Sequence, residues 1–186
     1  PPEKELAGKV ALITGAAGGI GSATALKFLK EGCCVVLTDI DKVALQNKHE
    51  EFSNQFGEDV VHSVLMDVTK EQEVKKAVTE SIIEFGGIDI LVANAGFASA
   101  ALFEKTSTKL WDKNMDILSK GCFIISREVY QNMITQNKGG SIVFVSSKNS
   151  LNASKGASAY AVAKSSILHL SRSIALEGSQ FKIRSN

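Results

Sequence analysis

The chain has 186 residues, 44% hydrophobic and 22% charged, which is ordinary for one globular domain with a sizeable core. Its net charge of +1 gives no field that attracts nucleic acid or a membrane surface, so we predict neither partner. No apolar run approaches the roughly 18 residues that are needed to span a bilayer.

The three cysteines, Cys33, Cys34 and Cys122, follow no metal-ligand spacing such as C-x-x-C. The three histidines are scattered and form no ligand array. The odd number of cysteines, and the apolar run beside the first two, favour reduced thiols. We therefore predict an intracellular, cytoplasmic protein without a metal site.

Short apolar runs alternate with segments of helical periodicity along the whole chain. Strands are predicted at residues 9–14, 34–39, 59–67, 88–96, 139–147 and 181–186. Helices are predicted at residues 19–32, 41–56, 69–86, about 107–136 and 156–178. This alternation predicts one α/β domain over residues 1–186, a Rossmann-type doubly wound parallel sheet with helices on both faces.

Four residues are predicted to mark helix ends. Gly32 is a natural end for the first helix, and Asp41 is a candidate cap for the second. Thr69, with Gln72 three residues later, predicts a capping box at the start of the third helix.

The last predicted strand, residues 181–186, is of the buried type and has no closing element after it. A domain seldom ends on a central strand, so we expect the sequence to be a fragment that lacks the C-terminal part of its domain. The N-terminal PPEKELAGK resembles an internal cut or the end of a linker.

The segment TGAAGGIG, residues 14–21, lies between the first predicted strand and the first predicted helix. Gly15, Gly19 and Gly21 have the spacing G-x-x-x-G-x-G, and glycine lets a backbone approach a ligand closely. The free N–H groups at the helix start, around Gly19, Ile20 and Gly21, favour an anion. A glycine cluster alone also occurs in tight turns. At the first strand–helix junction, however, it predicts a site for the diphosphate of a dinucleotide.

Polar residues follow the next three predicted strands. Asp39 ends the second strand, where its carboxylate can accept hydrogen bonds from ribose hydroxyls and would repel a 2′-phosphate, which predicts NAD rather than NADP. The alternative is an exposed turn carboxylate. The other candidates are Asp67 and Val68 against the adenine ring, and Asn94, Ala95 and Gly96 as a floor under the adenosine side. Each of these, taken alone, is more often a turn residue.

The segment YAVAK places Tyr160 and Lys164 four residues apart in a predicted helix, and therefore on one face. A cation at about 4 Å would lower the pKa of a phenol by about three units at an effective dielectric near 20. A phenol tuned in this way can act as the general base that an alcohol oxidation needs. Ser147 ends the preceding strand, where its hydroxyl can polarise the substrate oxygen. The alternative is an ordinary surface pair.

The glycine turn, Asp39, the NAG tripeptide at 94–96, Ser147 and YAVAK together resemble the short-chain dehydrogenase/reductase family, over essentially the whole chain. The resemblance implies a Rossmann fold, a nicotinamide cofactor, Tyr160 as acid/base and Ser147 as stabiliser of the substrate. It also implies that Tyr160 and Lys164 bind the cofactor, Lys164 through the nicotinamide ribose. Helices around 107–136 and 157–178 are implied to pack subunits into homodimers or homotetramers.

One position departs from the family pattern. Leu118 stands three residues before Gly121, where the family usually has an asparagine that supports a water behind the lysine. We hypothesise that Asn114, one turn earlier, partly replaces it as a catalytic residue. The alternative is an asparagine that faces solvent.

WDKNMDILSKGCF, residues 111–123, and the segments around 141–164 and 169–178 also resemble the dehydrogenase part of bifunctional rhamnulose-1-phosphate aldolase/alcohol dehydrogenases. That resemblance implies lactaldehyde from rhamnose breakdown as substrate, and an aldolase domain before this segment. Two other functions stay open: a catalytically silent nucleotide-binding or oligomerising module, and a sugar epimerase, whose glycine spacing normally differs.

Overall fold

Six parallel strands form one sheet in the order β3-β2-β1-β4-β5-β6. The computed structural model describes residues 4–186. The strands are β1 (Val10–Thr14), β2 (Cys34–Asp39), β3 (Val61–Leu65), β4 (Ile90–Ala93), β5 (Gly140–Phe144) and β6 (Ile183–Ser185). Leu12 of β1 pairs with Val36 of β2 on one side and with Leu91 of β4 on the other. The predicted parallel α/β sheet is confirmed.

Helices connect successive strands and cover both faces of the sheet. They are α1 (Gly19–Lys30), α2 (Lys42–Phe56), α3 (Glu71–Phe85), α4 (Thr108–Asn114), α5 (Gly121–Gln136) and α6 (Ser158–Gly178). The Asp41 carboxylate caps α2 by accepting hydrogen bonds from the N–H groups of Val43 and Ala44, as predicted. Gly32, with φ of +82°, follows the end of α1, and there its lack of a side chain permits the left-handed turn.

The capping box predicted at Thr69 is wrong. The first helical residue of α3 is Glu71, and Lys70 is the cap without a side-chain hydrogen bond. The Thr69 hydroxyl and N–H both donate to the Asp67 carboxylate, at 2.8 and 2.9 Å. These two bonds fold Thr69 into a local turn on Asp67, one residue before the cap position, so Thr69 closes a loop turn before the helix begins.

Several predicted strands are too long. β3 begins at Val61 because Glu58–Val60 form a 3₁₀ turn, and Ser179–Phe181 do the same before β6. β4 ends at Ala93 because the N–H groups of Asn94 and Ala95 donate to the Thr14 hydroxyl, at 3.0 and 2.9 Å, instead of to a strand. The predicted helical zone 107–136 is two helices joined by a π-helical segment, Met115–Lys120.

Alternate strand residues form two cores, one on each face of the sheet. On one face, Leu12, Val36 and Leu91 pack in a cluster that includes residues of α3, α5 and α6, among them Val74, Ile125 and Ile167. On the other face, Ile13 and Leu37 pack in a cluster with α1 and α2, through residues that include Ala25, Leu29, Leu45 and Phe52. Each fully buried aliphatic side chain stabilises the fold by about 2–3 kcal/mol.

The connections leave β1 and β4 in opposite directions. After β1 the chain continues to β2 and β3 on one side of the sheet, and β4 then starts the other half. At such a switch point the connecting segments diverge, which opens a crevice at the carboxyl ends of the two strands. No helix within residues 4–186 combines the length and the apolarity required to cross a membrane.

Candidate active site

A cavity of about 910 Å³ opens at the carboxyl ends of the strands. The segments that follow β1, β2, β3, β4 and β5 form its walls, together with the first turns of α6. Its size is within the range of about 300–1,000 Å³ that is usual for ligand pockets.

Most residues that the sequence singles out lie around this one cavity. It is lined by Gly15, Gly19, Ile20, Asp39, Asp67, Val68, Asn94, Ala95, Gly96, Tyr160 and Lys164. Three predicted site residues, Gly21, Ser147 and Asn114, are not among the lining residues. Folding therefore brings together groups that are up to 149 positions apart in the chain, from Gly15 to Lys164.

The glycine turn needs glycine at two positions for different reasons. Gly15 has φ of +64°, and a Cβ there would lie only 3.0 Å from the Ala95 Cα. A Cβ on Gly21 would overlap the Gly15 carbonyl oxygen and lie 2.9 Å from the Ala16 Cα. Gly21 therefore acts from behind the cavity, by allowing α1 to pack closely against the turn.

The start of α1 offers unpaired donors to the cavity. The Ser22 N–H donates to the Gly18 carbonyl at 2.8 Å, so the N–H groups of Gly19, Ile20 and Gly21 precede the first hydrogen bond of the helix. No side chain caps the helix, and its first turn holds no acidic residue. The backbone and the helix dipole therefore make this end of the cavity attractive to an anion.

The Asp39 carboxylate organises the turn next to it. One oxygen accepts from the Ala17 N–H at 3.0 Å and the other from the Asp41 N–H at 3.1 Å. Both carboxylate oxygens keep further lone pairs, and the residue lines the cavity. Asp39 can therefore accept donors from a ligand, and its charge opposes an anionic group placed beside it.

A second small network joins the ends of β1 and β4. The Asn94 amide nitrogen donates to the carbonyl oxygens of Thr14 and Gly15, at 2.9 and 3.1 Å. The buried Thr14 hydroxyl accepts from the N–H groups of Asn94 and Ala95. Asn94 thus fixes the glycine turn, in addition to lining the cavity. The sequence pattern predicted its location but not this bonding.

Tyr160 and Lys164 lie in the first two turns of α6, at the other end of the cavity. Lys164 is only 5% exposed, and its ammonium donates to the Val145 carbonyl at 2.6 Å. Burial lowers the pKa of Lys164, an effect that the neighbouring Cys122 opposes. Both residues line the cavity, and the hydrogen-bond partner of the ammonium is the Val145 carbonyl.

The serine at the end of β5 is arranged differently from the prediction. Ser146 lines the cavity, and its hydroxyl is 3.3 Å from the Lys164 carbonyl and 3.1 Å from the Ser150 hydroxyl. The Ser147 hydroxyl oxygen accepts from the Asn149 N–H at 3.2 Å and caps the short 3₁₀ turn Lys148–Ser150. The proton of the Ser147 hydroxyl remains available to an acceptor.

Leu118 and Asn114 are both fully buried, so the alternative of a solvent-facing Asn114 is wrong. The Asn114 amide accepts from the Ser99 hydroxyl at 2.9 Å and donates to the Leu110 carbonyl at 2.8 Å. Leu118 lies against Gly96, where a Cβ would be 2.9 Å from the leucine Cδ2 and 3.8 Å from the Lys164 Nζ. An apolar side chain and the lysine ammonium therefore both lie close to Gly96.

Sequence reasoning missed several lining residues, among them Ile40, Met66, Phe97, Lys113 and Ile117. Lys113 and Ile117 are four residues apart in a predicted helix, and this spacing could have predicted that both face the cavity. The lysine ammonium lies over the Phe97 ring, 4.7 Å from its centroid. These residues add apolar surface and one cation to the cavity.

Residues 4–186 contain no cluster of three or more histidine, cysteine or acidic side chains that could hold a metal ion. The three cysteines are free thiols in this part of the chain. Burial raises the pKa of the Cys122 thiol to about 11, although Lys164 opposes the shift. Cys122 is therefore a protonated core residue at neutral pH.

Comparisons with known proteins agree with this geometry. The family described as short chain dehydrogenase matches residues 9–186. The uncharacterized oxidoreductase YuxG of Bacillus subtilis is 47% identical over 186 residues, which are 100% of this chain but 27% of that protein. The 3-oxoacyl-[acyl-carrier-protein] reductase FabG of Thermotoga maritima is 36% identical, over 97% of this chain and 72% of its own.

Solved structures give the same result. A short chain dehydrogenase from Mycobacterium smegmatis superposes with a TM-score of 0.94 and 31% identity, over 100% of this chain and 79% of its own. An NAD⁺-bound xylitol dehydrogenase has a TM-score of 0.94 and 34% identity, and the match covers 98% of this chain and 70% of the xylitol dehydrogenase. Sequence and structure together show that the chain belongs to the short-chain dehydrogenase/reductase family, whose members are oxidoreductases that bind NAD or NADP.

Proposed function

We propose that the chain is the NAD-binding part of an oxidoreductase that transfers a hydride between nicotinamide and a small alcohol or aldehyde. One observation carries the proposal. A single cavity is lined by an anion-attracting helix start and a carboxylate, and also by the Tyr160 phenol and the buried Lys164 ammonium. A dinucleotide needs the first two groups, and proton exchange with an alcohol needs the last two.

The residues present fit a dinucleotide. The N–H groups around Gly19 and Ile20 would hold the diphosphate, and the space beside Gly19 is open to it, because a Cβ there would meet no atom within 4 Å. Asp39 would bind the adenosine ribose, and Asp67 and Val68 would contact the adenine. Asn94, Ala95 and Gly96 would lie under the adenosine side. Lys164 would bind the nicotinamide ribose. The bound nicotinamide supplies the hydride acceptor or donor.

Tyr160 would exchange the proton with the substrate oxygen. Lys164, which lines the same cavity and is shielded from water, would hold the nicotinamide ribose near the phenol. Ser147 would donate its hydroxyl proton to the substrate oxygen, since its own oxygen already accepts from Asn149. The protein therefore supplies the proton transfer and the orientation of the substrate.

Asp39 supports NAD as the cofactor. A 2′-phosphate would meet a carboxylate whose two oxygens already fix the Ala17 and Asp41 amides, so the side chain cannot withdraw without breaking the turn. The related xylitol dehydrogenase was solved with NAD⁺ bound. Like charges at such short range disfavour NADP.

We also propose that the protein forms a homo-oligomer and that it is cytoplasmic. Phe123 of α5 and Val162 and Leu176 of α6 are exposed apolar residues, with Leu176 79% exposed, and they would lie between subunits of a homodimer or homotetramer. The free thiols agree with a reducing compartment, which supports a cytoplasmic protein.

The proposed substrate is lactaldehyde, and it rests on the sequence resemblance to bifunctional aldolase/alcohol dehydrogenases alone. The chain spans 27% of the length of YuxG, so that relative has ample room for a further domain. An aldolase region before this segment, as part of rhamnose breakdown, remains part of the same proposal.

A catalytically silent nucleotide-binding module is the second candidate. It is favoured by Leu118, which places an apolar side chain beside Lys164 where the family usually has an asparagine. The sugar epimerase has less support, because the glycines of the turn follow G-x-x-x-G-x-G.

The two candidates differ in turnover but not in binding. NADH fluorescence titration is expected to show saturable binding, and the native protein at full length is expected to interconvert lactaldehyde and propanediol with NAD. A set of other short alcohols and aldehydes tests the substrate separately from the reaction. Binding without turnover of any of these compounds would favour the silent module, and absence of NADH binding would reject both candidates.

Asn114 has a separate test. The Asn114→Ala variant is expected to lose about 1 kcal/mol of stability, because Ser99 and Leu110 lose their partner. If Asn114 also supports Lys164, turnover falls and the pH–rate profile shifts. An unchanged profile and unchanged turnover in the full-length protein would reject the catalytic role of Asn114.

A further inference from the structure

The side chains that line the cavity include more acidic than basic residues, although a dinucleotide carries a negatively charged diphosphate. The acidic lining residues are Asp39, Asp41 and Asp67, and the basic ones are Lys113 and Lys164. Lys164 is buried at the Tyr160 end and bonds to the Val145 carbonyl. Lys113 is thus the exposed cation among the lining residues, in a cavity that has to accept a diphosphate.

Lys113 and the glycine turn line the cavity from segments that lead into different layers of the fold. It belongs to α4, which leads into α5, and α5 packs on the face of the sheet that also carries α3 and α6. The glycine turn leads into α1, which packs on the opposite face. Because the cavity lies between these two layers at the sheet edge, its two walls carry the free N–H groups of α1 and the ammonium of Lys113.

The Lys113 side chain contacts an aromatic ring, and its ammonium remains available to bind an anion. Its ammonium lies 4.7 Å from the centroid of the Phe97 ring, and Phe97 also lines the cavity. Within residues 4–186 the structure shows no ion pair for this lysine. An exposed cation–π contact is worth only about 0.5–1 kcal/mol, so a phosphate oxygen can compete for the ammonium.

We propose that Lys113, presented by Phe97, is a binding residue for the dinucleotide diphosphate in addition to the glycine turn. The inference rests on the proposed function and deepens it. The glycine turn contacts the diphosphate through backbone dipoles, and Lys113 adds a full positive charge that offsets one of the three acidic charges of the cavity. Binding of the diphosphate therefore depends on ionic strength more than binding of adenosine does.

The test compares three variants with the wild type. Lys113→Gln removes the charge, Lys113→Arg keeps it, and Lys109→Gln removes an exposed lysine one turn earlier that does not line the cavity. Dissociation constants are measured for NADH, ADP-ribose and adenosine at low and high salt, with melting temperatures as a folding control. Lys113→Gln is expected to weaken NADH and ADP-ribose binding about fivefold to twentyfold at low salt.

The same variant is expected to leave adenosine binding unchanged and to flatten the salt dependence of NADH binding. Lys113→Arg and Lys109→Gln are expected to stay within about twofold of the wild type. Equal losses for adenosine and ADP-ribose, or no loss for Lys113→Gln while the wild type binds NADH, would overturn the role of Lys113. A change in the KM of the second substrate with no change in NADH binding would also overturn it, by assigning the lysine to that substrate. A wild type that binds neither NADH nor ADP-ribose would reject the proposed function itself.

Discussion

The two ends of the cavity are built in different ways. At the glycine turn, backbone groups carry the chemistry: free N–H groups, a left-handed Gly15 and a close packing contact at Gly21. At the start of α6, side chains carry it: a phenol, and an ammonium that is 5% exposed. The first end is recognised in a sequence by residues that lack a side chain, and the second by the chemistry of residues that have one.

The difference has an energetic consequence. The glycine turn is stabilised by the same hydrogen bonds that hold the ends of β1, β2 and β4 together, so its function and the stability of the fold coincide. Lys164 is a buried cation with no carboxylate partner among residues 4–186. Because burial of an unpaired charge costs free energy, this lysine lowers the stability of the fold while it serves the proposed reaction. Substitutions at the two ends should therefore separate stability from turnover.

The largest effect is expected for Tyr160→Phe. This change removes the hydroxyl that exchanges the proton and keeps the ring, so turnover should fall about a thousandfold. The dissociation constant of NADH should change by less than about twofold, because the adenosine end is untouched. Steady-state kinetics and fluorescence titration measure the two quantities. Retention of more than about a tenth of the activity would show that another group moves the proton.

The next effect is expected for Gly21→Ala, which should lower the free energy of unfolding by about 2–4 kcal/mol and weaken NADH binding in parallel. The new Cβ would overlap the Gly15 carbonyl oxygen and lie 2.9 Å from the Ala16 Cα. Gly19→Ala is the matched control, since its Cβ meets no atom within 4 Å. Urea denaturation measures the free energy of unfolding of both variants. Equal stability of the two variants would remove the packing role of Gly21.

Lys164→Met should act in the opposite direction on stability. Replacing a buried ammonium by a side chain of similar size should raise the free energy of unfolding by about 1 kcal/mol near neutral pH and lower turnover less than Tyr160→Phe does. The exposed Lys138→Met serves as the control, with no expected change in stability. A loss of stability in Lys164→Met would show that the hydrogen bond to Val145 outweighs the burial of the charge.

The same variant carries a pH dependence. Burial lowers the pKa of Lys164 below its ordinary value of 10.5, so the unfolded chain binds more protons between the lowered pKa and 10.5. The wild type should therefore gain stability as the pH rises through that window, and the advantage of the methionine variant should shrink. Denaturation curves at neutral and alkaline pH test this sign.

The smallest effect in this series is expected for Asp39→Ser. The preference for NAD over NADP should fall about tenfold, because a carboxylate no longer opposes the 2′-phosphate. Asp41→Ser is the matched control: Asp41 also lines the cavity, but its side chain caps α2, so this variant should lose stability and keep the preference. The ratio of kcat/KM for the two cofactors is the measurement. An unchanged ratio in Asp39→Ser would leave the NAD preference without its proposed cause.

The sequence alone determined the parallel α/β sheet, since apolar runs and helical segments alternate strictly along the chain. It also indicated that most of the singled-out residues gather at one cavity, because the carboxyl ends of parallel strands meet at one edge. Tyr160 and Lys164 are four residues apart in one helix, so their shared face follows from helix geometry without further information.

Only the tertiary structure decided the rest. Thr69 bonds to Asp67 instead of capping α3, the strand at β4 ends because Thr14 takes the next two N–H groups, and Ser146 rather than Ser147 lines the cavity. The π-helical segment Met115–Lys120 shifts the face of the helix that carries Leu118, which a 3.6-residue period does not show. At the end of β4 the reason is clearest, because Thr14 and Asn94 are 80 positions apart and meet only in the folded chain.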